Sequence, residues 1–123
     1  MNILYIEDQK AITEWVKTLF DGEHNLTTTD TITEAIELIK VGGEKIDGII
    51  TDDGVNDGSV VNRFREIRSI YKGPVILMSA SIYSFDDLTR MGFLASFPKP
   101  NTRHNYEDAV HLFQQAKNEN KGG

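Results

Sequence analysis

The sequence has no cysteine, only three prolines in 123 residues, and no apolar run long enough to cross a bilayer. The lack of thiols excludes disulfides and thiolate metal sites, and argues against zinc. The three histidines, His24, His104 and His111, lack metal-ligand spacing and read as surface residues. Residues 1–8 carry no basic segment ahead of their apolar run, which is too short for a signal peptide or a membrane span, so the expected location is the cytoplasm. Massed positive charge is missing too. Acidic residues outnumber basic ones 19 to 13 for a net charge of −6, and the basic ones are scattered. That pattern excludes the electrostatic footprint of a nucleic-acid binder and serves solubility. There is no internal repeat or low-complexity segment. The length suits one domain, with residues 1–118 forming it and 119–123 expected as a flexible tail.

Short apolar or β-branched runs alternate with segments of helical period, which predicts βα units around a parallel sheet. Ile3-Leu4-Tyr5-Ile6 reads as the first strand. The next helix places Ala11, Trp15 and Leu19 beside Ile12, Val16 and Phe20 in a broad apolar stripe, with Trp15 and Phe20 as core. Leu26-Thr27-Thr28-Thr29 is β-branched but polar and suits a sheet edge. Thr31 and Glu34 have capping-box spacing and open a second helix, with Ile32, Ala35, Ile36 and Ile39 inward. Residues 46–51 read as the third strand. Ser59 is expected to cap a helix bearing Val60, Phe64, Ile67 and Tyr71. Val75-Ile76-Leu77-Met78, apolar without alternation, suits a strand covered on both faces. A short helix over 84–91 should turn Phe85, Leu88 and Met91 inward and be the most mobile of the five. Residues 93–97 read as the fifth strand, and a last helix aligns Tyr106, Ala109, Val110, Phe113 and Ala116. Five such units predict an α/β fold with an open, doubly wound, five-stranded parallel sheet.

Ligands of such sheets bind beyond the carboxyl ends of the strands. Glu7-Asp8 ends the first strand, Asp52-Asp53 the third, Ser79 the fourth, and Lys99 follows the fifth. Crowded carboxylates repel unless a cation sits among them, and oxygen donors without His or Cys favour Mg²⁺. An aspartate screened by that ion can act as nucleophile toward phosphorus. Lys99 would add positive charge and Ser79 a hydrogen bond to a phosphoryl oxygen.

In order and spacing, Glu7-Asp8 after the first strand, Asp47-Gly48-Ile49-Ile50-Thr51-Asp52, Pro74-Val75-Ile76-Leu77-Met78-Ser79-Ala80 and Lys99-Pro100 resemble the response-regulator receiver family of two-component signalling. The resemblance runs from Ile3 to the last helix. It implies a (βα)5 flavodoxin-like fold with strand order 2-1-3-4-5 and a cis Lys99-Pro100 bond. It further implies that Asp52 is phosphorylated by a sensor histidine kinase or a histidine phosphotransfer protein, assisted by Ser79 and Lys99. Glu7, Asp8, Asp52 and the backbone carbonyl of Gly54 would hold Mg²⁺. The expected protein is a switch rather than an enzyme, at most transferring phosphoryl to itself and losing it again. It would be a monomer or weak dimer acting on a downstream protein, without nucleic acid or membrane.

The match departs in three places. The segment from Asp52 to Asp57-Gly58 is short and lacks the family's proline, with Asp53 beside the acceptor; strand alternation favours Asp52, leaving Asp53 as an exposed turn acid. Ser96 stands where most members carry an inward-swinging aromatic, while Phe97 faces the core. The connection from Ser79 to Gly92 is short, so signalling is expected through a local rearrangement of residues 83–91. Two other readings compete. Thr51-Asp52-Asp53-Gly54-Val55 echoes the signature of haloacid-dehalogenase-like phosphohydrolases but has Thr51 in the nucleophile's place. A degenerate receiver could bind a partner without phosphorylation, although it would have no need of buried-rim acids.

Overall fold

A computed structural model describes residues 1–79 and 83–122 of the chain, with side chains up to residue 119. Five parallel strands, β1 (Asn2–Ile6), β2 (Asn25–Thr29), β3 (Gly48–Asp52), β6 (Val75–Ser79) and β7 (Ala95–Pro98), form one sheet in the order β2-β1-β3-β6-β7. This is the expected 2-1-3-4-5 arrangement. A two-residue hairpin, β4 (Gly54–Val55) with β5 (Gly58–Ser59), interrupts the count. Polar β2 lies at the sheet edge, pairing with β1.

Alternation along the strands divides the core in two. Ile3, Tyr5, Ile50, Ile76 and Met78 meet α1 (Lys10–Phe20) and α5 (Arg103–Gly122) through Val16, Phe20, Tyr106, Ala109 and Phe113. Leu4, Ile6, Ile49 and Leu77 meet α2 (Ile32–Gly42), α3 (Phe64–Ile70) and α4 (Phe85–Met91) through Ile32, Ala35, Ile39, Phe64, Ile67 and Leu88. Phe64 stacks on Phe93 at 3.9 Å between ring centres. The Arg68 guanidinium ties α3 to the end of α4, donating to the carbonyls of Tyr71, Gly73 and Gly92. No described helix is long and apolar enough to cross a membrane.

Several expectations need correction. Helix α1 is turned so that Thr13, Val16 and Phe20 are buried. Trp15 is consequently 40% exposed, edge-on to Tyr106. Ser59 does not open α3: its hydroxyl accepts from Asn62 N–H, but residues 60–63 stay in turns and the helix starts at Phe64. In α4, Leu88 is buried while Phe85 is 72% exposed and Met91 lies at the surface, because Tyr83 and Phe93 fill the core positions flanking this two-turn helix. The fifth strand begins two residues late, at Ala95, after buried Phe93. Helix α5 continues through residues 119–122 of the supposed tail, whereas Gly123 lies outside the described residues. His24 is half-buried, its Nδ1 3.1 Å from the N-terminal amine.

Gly48 shows how closely β3 and α5 approach: a Cβ there would lie 2.5 Å from the Phe113 ring. Phe113 is fully buried and has no room to retreat. Gly48→Ala should therefore cost about 1–3 kcal/mol in urea denaturation. Gly42→Ala, where nothing lies within 4 Å of the added carbon, should stay within about 0.5 kcal/mol of the parent.

Candidate phosphoacceptor and metal site

The parallel sheet brings its carboxyl-end residues to one rim. Glu7 follows β1 directly and extends the ladder, its N–H donating to the Thr29 carbonyl. Asp52 is the last residue of β3 and Ser79 the last of β6. Lys99 follows β7 and is drawn to the end of β6 by its N–H, which donates to the Ser79 carbonyl. The Lys99-Pro100 bond is cis, as the resemblance implied. Ala80, which follows Ser79 in the motif, lies outside the described residues.

Glu7, Asp52 and Ser79 are buried. One carboxylate oxygen each from Glu7, Asp8 and Asp52 lies within 4.8 Å of the others. The Lys99 ammonium sits 3.3 Å from Glu7 Oε1 and 3.1 Å from Asp52 Oδ2. One ammonium thus faces two carboxyl groups, with the third, Asp8, beside them. Glu7 bears the strain: burial first, then the neighbouring Asp52, push its pKa up to about 7, with Lys99 opposing. Burial works against the charge on Lys99, but Asp52 and Glu7 outweigh it and hold its pKa above the ordinary value.

Glu7 Oε2 is buried with no hydrogen-bond partner. An orphaned carboxylate oxygen beside two further acids, with no sulfur or imidazole donor in the cluster, fits a hard divalent cation such as Mg²⁺. Glu7 and Asp8 border an open hollow of about 330 Å³ whose walls also carry Asp30, Glu14 and Glu34 against Lys10 and Lys17. The acid excess favours entry of a cation.

Asp53 is not the exposed turn acid expected. Its Oδ1 accepts from the Ser59 hydroxyl at 2.7 Å and from Val61 N–H at 3.1 Å, and its Oδ2 from the Tyr83 hydroxyl at 2.5 Å. Its backbone N–H donates to Asp52 Oδ1 at 2.8 Å, and its carbonyl accepts from Val60 N–H at 2.7 Å. Residues 59–61 are thereby held outside the helix, which delays α3. Alternation along β3 could have signalled the direction, since residue 53 shares the face of Ile49 rather than that of Asp52. Nothing in the sequence names Tyr83, thirty residues away, as the partner.

Asp57, at the hairpin tip, was also overlooked. Its carboxylate accepts from Ile32 N–H at 2.7 Å, Thr33 N–H at 3.0 Å and the Thr33 hydroxyl at 2.8 Å, supplying the N-terminus of α2 from a distant loop. Thr31 caps the same turn locally, accepting from Glu34 N–H at 3.1 Å. Ser96 is exposed on β7, while Phe97 packs into the core as alternation implies.

No family model matches the sequence. The KDP operon transcriptional regulatory protein KdpE of Escherichia coli K12 is 29% identical over 90 residues, which is 73% of this chain and 40% of that protein. The chain therefore corresponds to less than half the length of that relative. A response regulator receiver domain protein from Clostridium thermocellum superposes with a TM-score of 0.83 at 24% identity, covering 95% of this chain and 96% of that one. The fold is that of a response-regulator receiver domain. The receiver domain of the sensor histidine kinase PA1611 of Pseudomonas aeruginosa PAO1, solved with magnesium in its active-site cleft, gives 0.75 at 19% identity over 94% of this chain and 95% of that one.

Two outcomes follow. Burial works to raise the Asp57 pKa, but the N–H and hydroxyl donors of Ile32 and Thr33 prevail and hold it at about 2 against an ordinary 3.8. A depressed folded-state pKa gives stability that is complete above about pH 4 and is lost as pH falls toward 2. Asp57→Ala should therefore cost about 1 kcal/mol in urea denaturation at pH 7, with the gap to the parent closing as the pH is lowered. Glu7 behaves oppositely: its folded state holds a proton more tightly than the unfolded chain, so stability of the metal-free protein falls as pH rises from 4.5 to about 7. Glu7→Gln should remove that fall and make the metal-free protein roughly 1–3 kcal/mol more stable at pH 7.5, while abolishing stabilisation by magnesium chloride in thermal melts.

Proposed function

We propose that this receiver accepts a phosphoryl group on Asp52 from a phosphohistidine donor, a sensor histidine kinase or a histidine phosphotransfer protein, and thereby changes its binding to a downstream protein. The observation carrying this reading is the buried rim where Asp52 Oδ2 faces Lys99 at 3.1 Å beside Glu7 and Asp8. Asp53 N–H occupies Asp52 Oδ1, leaving Oδ2 oriented as the attacking oxygen. As Oδ2 bonds to phosphorus, the P–N bond to the donor imidazole breaks and the released ring takes up a proton. Lys99 then donates to a phosphoryl oxygen instead of to the free carboxylate, and Ser79, at the end of β6, donates to another. Magnesium held by Glu7, Asp8, Asp52 and the Gly54 carbonyl would supply neutralisation of the phosphoryl charge.

The chain is a switch in this reading and turns over no external substrate beyond its own phosphorylation and dephosphorylation. Its place would be the cytoplasm, as a monomer or weak dimer. KdpE is a transcriptional regulator by name.

Incubation with acetyl phosphate should raise the intact mass by one phosphoryl group when Mg²⁺ is present and not when it is chelated. Asp52→Asn should abolish the adduct, and Lys99→Ala should slow its formation at least about tenfold, given the loss of a charge-assisted hydrogen bond. An adduct persisting on Asp52→Asn would overturn the assignment, and none on the parent would favour a phosphorylation-independent binding module.

A further inference from the structure

The carboxylate of Asp53 does not join the acidic rim; it points to the other face of the sheet and is fully engaged there. Between Asp52 and the entry to α4 lie two hydrogen bonds joined through the covalent frame of Asp53: its N–H donates to Asp52 Oδ1 at 2.8 Å, and its Oδ2 accepts from the Tyr83 hydroxyl at 2.5 Å. Tyr83 directly precedes Ser84, whose hydroxyl caps α4 by accepting from Asp87 N–H. The Tyr83 ring packs against the core cluster of Ile49, Val60 and Leu88, so its position is set by more than one bond. Helix α4 itself rests on one buried residue, Leu88. A weakly anchored helix is tied at its entry to the residue that orients the acceptor.

We propose that Asp53 and Tyr83 form a positioning pair that orients the Asp52 carboxylate and couples its chemical state to α4. The proposal rests on the reading of Asp52 as phosphoacceptor. The physical reason lies in the first bond. A hydrogen bond to an ionised carboxylate is roughly twice as strong as one to a neutral acyl oxygen. Esterification of Asp52 Oδ2 leaves Oδ1 as the neutral carbonyl of an acyl phosphate, so the pull on Asp53 N–H weakens when phosphorylation occurs. Asp53 is then free to shift, and Tyr83 carries the shift to the N-cap of α4, an element with little buried surface to resist it. In most receivers an aromatic at the position of Ser96 would serve as lever; here that position is an exposed serine.

The test compares amide hydrogen exchange of the full chain with and without beryllofluoride and magnesium, in the parent, Tyr83→Phe and Asp53→Asn. In the parent, exchange should change at least threefold both at 52–55 and at 85–91. Tyr83→Phe keeps the ring in the core and removes one hydroxyl; it should keep the response at 52–55 and lose at least two-thirds of that at 85–91. Asp53→Asn, which preserves size and one acceptor oxygen, should lower the maximal rate of phosphorylation by acetyl phosphate about tenfold while leaving the half-saturating concentration within twofold, a split that general destabilisation does not produce. An α4 response in Tyr83→Phe equal to the parent's overturns the coupling, as does a parent that responds at 52–55 alone. A parent silent at both places removes the phosphoacceptor reading and the pair's role with it.

Discussion

Three carboxyl groups and one ammonium share the buried carboxyl-end rim of the sheet, and their imbalance shapes what surrounds them. Moving a carboxylate out of water is costly unless it is paired and hydrogen-bonded. Here Lys99 reaches both Glu7 and Asp52 but cannot satisfy them both. One oxygen of Glu7 is left without a partner, and its pKa rises until the group is poised near neutrality. A sequence optimised for stability alone would place an amide or an apolar residue there. Retaining the acid makes sense where a cation enters the same space.

The fold makes that crowding possible by geometry. Parallel strands deliver their last residues to one edge, and the period of two then sorts them by face. Glu7 follows the face of Ile3 and Tyr5, and Asp52 that of Ile50, which brings them together over the α1/α5 side. Asp53, one residue on, falls to the α2/α3/α4 side and meets Ser59, Val61 and Tyr83. Two consecutive aspartates thus hold different duties on opposite faces: one keeps a charged oxygen beside Lys99, the other spends its side-chain oxygens on holding a loop while its N–H steadies the first.

This division explains what could be read from the sequence. The five strands and the placing of Glu7, Asp8, Asp52, Ser79 and Lys99 at the rim follow from local apolar pattern and from what stands at strand ends, and the order of the strands from the resemblance to receivers. Features set by partners far along the chain were not legible. Trp15 looked like core because its spacing fits the α1 stripe, but the helix turns on Thr13, Val16 and Phe20 and leaves the indole against Tyr106. Phe85 and Met91 repeat the error on α4, where Tyr83 and Phe93 take the interior places. Ser59 carries the mark of a helix cap, yet Asp53 claims its hydroxyl and the two following N–H groups, so the helix waits until Phe64.

The short segment after Asp52, the plainest departure from the receiver pattern in sequence, gains its meaning from the same bonds. Seven residues, 53–59, are anchored at both ends of a two-residue hairpin: Asp57 grips the N-terminus of α2, Asn56 N–H donates to the Asp30 carbonyl, and Asp53 holds the base. A backbone fixed before ligand arrives loses less conformational freedom when it binds. Gly54 belongs to this hairpin, so a carbonyl ligand drawn from it would be presented by a rigid element rather than gathered from a free loop. Shortening the loop and pinning it to α2 and to Tyr83 ahead of α4 therefore act together: the Asp52 side gains a preorganised wall, and the same wall makes movement of Asp53 a matter for both helices.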